Sequence, residues 1–267
     1  MENEDINKYR EFAHKMKNIL GLDSEPVGVK FTTGKDAPQN AENLGHHRYC
    51  QALMLARRGR KVFLSAAGLA CPAAAAAFGF RPLPEPLKTG KGLVGFGIVS
   101  NPRVAQNMFS GMPKLEAGQI GGLYLFPLHQ ADVEPDVIVV EDDVEKLMWI
   151  ALADLHRQNG SRVESSTAIL QATCVDATVI PYLEQRLNLS YGCYGCRDAT
   201  DIRASETVLG FPASALAGIV SHLEYLGQKA IAASRAKKAY AMIRKKEGGG
   251  HDQESDCSTI ESNGKKD

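Results

Sequence analysis

The run Val137-Ile138-Val139-Val140 constrains the fold more than any other stretch of this chain. Successive side chains of a strand point to opposite faces, so a sheet with one wet face shows alternating apolar and polar residues. The alternation is absent here, which predicts a strand covered on both faces. Segments with helical periodicity are available as cover. Ile6, Tyr9, Phe12, Ala13, Met16, Ile19 and Leu20 recur at helical spacing. Leu147, Met148, Ile150, Ala151, Leu152 and Leu155 give a wide apolar face to a helix capped by Asp142 or Asp143. Further helices are predicted over 46–58, 72–78, 102–109 and 213–233, with one around 181–187. Further strands are predicted over 26–31, 62–64 and 121–128, and one over 162–167; the glycines at 90, 92, 95 and 97 read as a glycine-rich strand or turn. The expected class is α+β, a single mixed α/β domain over residues 1–246 with strands interleaved among helices. A polar, disordered tail is expected over 247–267.

Reactive residue types concentrate in Tyr191-Gly192-Cys193-Tyr194-Gly195-Cys196-Arg197. The Cys-x-x-Cys spacing aims both sulfurs at one point, so the pair can share a metal, ligate a cluster or close a disulfide. Gly192 and Gly195 relieve crowding and free backbone N–H groups to face sulfur. Tyr191 and Tyr194 would shield such a centre from water, and Arg197 would offset its negative charge. A four-coordinate site needs two more donors. Cys50 falls on a predicted helix. Cys71 falls at an N-cap, because Pro72 suits the first helical position, and the helix dipole there favours thiolate. Four thiolates on Cys50, Cys71, Cys193 and Cys196 suit a [4Fe-4S] cluster, with zinc as the alternative. Zinc modules usually supply two short-range pairs, so one pair joined by two scattered cysteines fits a cluster better. Cys174 reads as a small apolar filler, and Cys257 falls in the tail.

Other constellations have simpler readings. His46 and His47 diverge on a helix and read as a solvated pair. Asp198 and Asp201 read as a helix cap and as partners of Arg197 or Arg203 rather than as acid–base groups. The basic run from Arg57 to Lys61 complements a helix C-terminus. Met108, Phe109 and Met112 read as core. The Rossmann and P-loop glycine patterns and the His-Glu-x-x-His motif are absent from the sequence. A faint echo between the residues before Cys71 and those before Cys193 is within what chance produces.

With 31 basic and 31 acidic residues the chain has no net charge to draw nucleic acid or an anionic membrane. Lys229 to Lys246 holds seven basic residues and no acidic one, and reads as a solvated face beside an acidic tail. The longest apolar run falls short of the ~20 residues that span a bilayer, and the opening lacks the apolar core of a signal peptide. A cytoplasmic setting is the expectation, where structural disulfides are disfavoured.

Several pieces occur in a fixed order: Pro26-Val27-Gly28-Val29-Lys30-Phe31, Tyr49-Cys50, Cys71-Pro72 followed by Phe78-Gly79-Phe80, Pro135-Asp136-Val137, and Gly192-Cys193-Tyr194-Gly195-Cys196-Arg197. Together they resemble the ArCR family of archaea and anaerobic bacteria, a domain of unknown function, over about residues 5 to 240. The resemblance implies a cytoplasmic, anaerobic setting and no established activity, and such a setting favours an iron–sulfur centre. The expected function is to bind that centre, or another metal-thiolate centre, in a redox or ligand-binding role. Its partners would be a redox protein or a small-molecule ligand, with no nucleic acid and no membrane. Two alternatives stay open: a metal-free dithiol/disulfide enzyme using Cys193 and Cys196, and a binding module built on the basic C-terminal helix.

Overall fold

In the computed structural model, which describes residues 2–248, strand β5 (Val137–Asp143) lies inside a seven-stranded sheet. Its neighbours are β1 (Val27–Thr32) and β7 (Glu206–Pro212), both antiparallel to it. With β2 (Glu42–Asn43), β3 (Val62–Ser65), β4 (Gly122–Pro127) and β6 (Asn188–Ser190), the order is β2-β3-β4-β1-β5-β7-β6. Every pairing is antiparallel except that of β2 with β3.

The sheet is covered on both faces, as the unbroken apolar run requires. Phe63, Tyr124 and Phe126 form one buried cluster with Ile6 and Tyr9 of α1 (Glu2–Leu20). Helix α1 packs on α10 (Leu216–Leu226), and α10 packs on α7 (Val144–Arg157), which lies against β5 and β7. Val137 and Val139 belong to the main core on the other face. That face carries α2 (Tyr49–Arg57), α3 (Pro72–Ala77) and a helical stretch from Ala172 to Glu184. Each fully buried Val or Leu contributes about 2 kcal/mol from apolar surface removed from water.

The sequence expectations and the structure part in several places. Strands β2 and β6 are not expected from the sequence, and the helix expected from residue 46 begins at Tyr49, which leaves His46 and His47 outside it. The glycine-rich stretch forms two short helices, α4 (Glu85–Lys88) and α5 (Lys91–Gly95), followed by α6 (Pro102–Ser110). Residues 162–167 form no strand. The helix near Pro181 begins much earlier, with π-helical residues Ala172–Val179 leading into α8 (Ile180–Glu184). Strand β7 has no counterpart in the sequence reading, because Gly210 weakens its strand pattern. That glycine is a packing requirement. A Cβ there would lie 1.8 Å from the Ala177 carbonyl oxygen, so only glycine lets the π segment rest on β7.

The chain divides into a compact unit ending at Leu226 and a second beginning at Gly227. The second holds a π turn (Gly227–Ile231), α11 (Ala232–Arg235) and α12 (Lys238–Gly248), with Tyr240, Met242 and Ile243 exposed. The expected tail over 247–267 lies outside the described residues, apart from Glu247 and Gly248 at the end of α12. Among the described residues no helix is long and apolar enough to cross a membrane.

Candidate functional site

Five cysteines, Cys50, Cys71, Cys174, Cys193 and Cys196, line one cavity of about 400 Å³. Each lies in the first turn of a helix or caps one. Cys50 follows Tyr49 at the start of α2, and Cys71 is the N-cap of α3. Cys174 is in the first turn of the π segment. Cys193 is the N-cap of α9 (Tyr194–Ala199), whose first turn includes Cys196. Pro72 sets the φ of the first residue of α3. Gly192, at φ 83°, turns the chain from β6 into α9. Helix starts leave N–H groups without intrahelical partners, so the cavity is walled by thiols and backbone donors together.

The Cys193 and Cys196 sulfurs are 3.1 Å apart. The Cys196 N–H donates to Cys193 Sγ at 3.3 Å, and the Ala172 N–H of the π segment also favours its thiolate. Thr173 Oγ1 stands 2.9 Å from Cys196 Sγ. The hydrogen bond with Cys196, followed by burial, pushes the Cys193 thiol well above its ordinary range. For Cys196 the hydrogen bond from Cys193 works in favour of the thiolate, but the bond with Cys50 and burial outweigh it, and the thiol is pushed up to about 12. Burial raises Cys174 as well, helped by the charges of Cys71, Cys193 and Cys196. Its Sγ donates to the Gln171 carbonyl at 3.6 Å.

Helix α2 is laced to the Cys-x-x-Cys loop. Arg48 Nη1 donates to the Gly195 carbonyl at 2.9 Å and lies 3.5 Å from Asp198. Gln51 donates to the Ala199 carbonyl, and Arg57 and Arg58 both hold Asp201. Tyr194 lines the cavity although it is largely exposed. Tyr191 is exposed and is not part of the lining. Arg197 does not reach the sulfurs: its guanidinium donates to the carbonyls of Tyr191, Arg203 and Glu206 and so pins the loop to β7.

The chain matches the family model DUF169, described as uncharacterised ArCR, over residues 15–222. It is 32% identical over 228 residues to the uncharacterized protein MJ0308 of Methanocaldococcus jannaschii, a match covering 84% of this chain and 97% of that one. This chain belongs to the ArCR family. No solved structure matches it.

Among the cavity-wall residues that the sequence reading of this ArCR protein missed are three at the start of the π segment. Cys174, taken as filler, lines the cavity together with Thr173 and Gln171. All three sit where the π segment begins, and π-helical turns recur at functional sites. The stretch carries no cue of its own: Ala-Thr-Cys-Val-Asp-Ala-Thr-Val reads as buried β-branched sequence. It is held in place by polar contacts. Thr178 Oγ1 donates to the Thr173 carbonyl at 2.8 Å, so in their 2.9 Å contact Tyr49 Oη donates to Thr178. Asp176, pushed up to about 6 by burial, accepts from Thr167 and Ser190.

A charge cluster lies at the far end of α2. Arg57 donates to Ser24 at 2.7 Å, holds Asp201, and has its Nε 3.1 Å from Glu141 Oε2. That last pair is an ion pair by distance, but its N–H is misaligned, so neither atom has a proper hydrogen-bond partner. Arg57 and Glu141 are both buried, and burial pushes Glu141 up to about 7 against the pull of Arg57. Asp23, Asp142 and Asp143 also converge, but Lys146 and Arg203 already pair with them.

Proposed function

We propose that the cavity holds an iron–sulfur centre, a [4Fe-4S] cluster on Cys50, Cys71, Cys193 and Cys196, with a redox or ligand-holding role. The observation that carries this reading is the meeting of these four thiols, from three separate chain segments, on one cavity. Hydrogen bonding with Cys196 and burial raise the Cys193 pKa, and for Cys196 the opposing bond from Cys193 is outweighed by the bond with Cys50 and burial. Arg48, a cation lining the cavity, is engaged by Gly195 and Asp198. A bound metal is the cation that would deprotonate such thiols. Cys174 stands outside the ligand set, since its thiol is turned to the Gln171 carbonyl.

Zinc fits less well. With Zn–S bonds of ≈ 2.3 Å, four tetrahedral sulfurs stand roughly 3.8 Å apart. Among the described residues no three thiols lie within 4.8 Å of one another. Thiols that do not gather to zinc spacing leave room for a polynuclear cluster, which would supply one-electron chemistry. The 3.1 Å Cys193–Cys196 pair would have to open for either centre.

The 3.1 Å approach of Cys193 and Cys196 supports a second reading, a metal-free dithiol that closes to a disulfide. Their raised pKa values weaken it, because the thiolate is the attacking species. Anaerobic purification with iron and sulfide analysis separates the two. The cluster reading expects brown protein with about four irons per chain. Colourless protein without iron or zinc removes it. A reversible two-electron couple that survives Cys50→Ala and Cys71→Ala selects the dithiol.

A further inference from the structure

Only part of the cavity wall is sulfur. The same cavity is lined by Leu87 of α4, Leu93 of α5, Phe96 and Ile98 just beyond it, and Phe109 of α6. The volume of about 400 Å³ falls within the ~300–1,000 Å³ range of small-molecule sites. Phe96 lines this cavity while 73% of its surface is open to solvent. An exposed ring at the mouth of a pocket is one that an occupant would cover.

Gln171 lines this cavity as well. It is only 8% exposed, and its backbone is left-handed at φ 60° and ψ 32°. Ile169, two residues earlier, is left-handed as well. Non-glycine residues hold this conformation only where their surroundings impose it, and such strain gathers at ligand sites. Among the described residues the Gln171 side-chain amide makes no hydrogen bond. Such an amide is open to pair with an occupant through one acceptor oxygen and one donor nitrogen. No Asp, Glu or Lys lines the cavity, and its basic side chains are His46 and the already paired Arg48, so the wall offers little to compensate a desolvated ligand charge.

We propose that this cavity binds a small, uncharged, planar organic molecule with an amide- or lactam-type edge. The edge pairs with Gln171, whose donor and acceptor sit side by side, and the apolar body rests on Leu87, Leu93, Phe96, Ile98 and Phe109. The proposal goes beyond the thiol-centre reading and survives its failure, because it rests on Gln171 and the apolar lining residues, none of which is a thiol.

The test is equilibrium dialysis of the anaerobically purified full chain against 2-quinolinone, a planar bicyclic lactam, and against naphthalene, a bicycle of similar size without the polar edge. Iron is measured in every sample. Saturable binding of one lactam per chain is expected, about tenfold tighter than naphthalene, the value of a matched pair of buried hydrogen bonds. Gln171→Leu should erase that preference while keeping naphthalene binding. Gln171→Gly, which suits the left-handed backbone and so guards against misfolding, should erase it too. Leu93→Ala should weaken both probes. The proposal is overturned if neither probe saturates, if the preference persists in both Gln171 variants, or if it vanishes only where naphthalene binding is lost as well. Lactam binding by iron-free protein would sink the cluster reading alone, and iron-loaded protein that ignores both probes would sink this one alone.

Discussion

The two ends of helix α2 solve opposite electrostatic problems. At its start, Cys50 joins a wall of crowded thiols with no free cation nearby. At its end, Arg57 is buried among Glu141, Asp201 and Ser24, a charge with its counterions supplied by the protein itself. The helix dipole suits both, since it favours anions at the N-terminus and cations at the C-terminus. The difference is one of completeness. The Arg57 end balances its charges internally, whereas the thiol end avoids charge by keeping Cys193 and Cys196 protonated. The first arrangement is complete within the fold; on the proposed reading the second would be completed by a metal centre.

The largest effect expected from breaking this contrast is at the thiol end. Cys193→Ser or Cys196→Ser should cost most of the bound iron, read by elemental analysis, with the fold retained by circular dichroism. At the other end the loss should appear as stability. Arg57→Met leaves Glu141 buried without its counterion and should destabilise the chain by about 3–5 kcal/mol in urea unfolding, the cost of breaking a buried pair. Replacing both, with Arg57→Met and Glu141→Leu, should recover much of that loss, because two matched apolar residues need no compensation. If the double variant is no better than the single one, Arg57 is held mainly by Asp201.

A smaller effect follows from pH. The folded-state pKa of Glu141, about 7, lies above its ordinary 4.5, so the folded chain keeps a proton that the unfolded chain releases. Stability contributed by this group is therefore present at low pH and falls as pH rises from about 4.5 to about 7. Asp176, at about 6 against an ordinary 3.8, acts in the same direction over a lower window. Urea midpoints across this range should decline with pH, and Glu141→Gln should flatten the upper part of the decline. An unchanged slope in that variant would remove Glu141 from the account. The smallest effect concerns the strained wall. Gln171→Gly should stabilise the chain by about 1 kcal/mol if the relief of left-handed strain exceeds the entropy gained by the unfolded state. A destabilised variant would mean that the Gln171 side chain contributes packing as well.

The covered strand, the amphipathic helices and the cysteine loop could be read from the sequence because their signals are local. An unbroken run of β-branched residues or a Cys-x-x-Cys carries its meaning within a few positions. Cys50 and Cys71 were legible for a related reason, since one falls on a periodic helix and the other precedes a helix-opening proline. Cys174 and Gln171 were not, because their role depends on a wide helical turn set by contacts far along the chain. Tyr49 of α2 donates to Thr178, and Ala177 rests on Gly210 of β7. Arg197 was misplaced for the opposite reason. Its position beside the cysteines drew it to the sulfurs, whereas three backbone carbonyls with no sequence signature hold it elsewhere.

The π-helical start of the Ala172–Glu184 helix has one further consequence, which concerns chain length more than side-chain chemistry. A π turn holds one residue more than an α turn. Deleting a single residue within it would restore α geometry and rotate what precedes it by roughly 100°. Thr173 and Cys174 would then swing off the cavity wall while α8 and β7 stayed in place. A lineage can thus lose this wall through one codon's deletion, with every lining residue still present in its sequence.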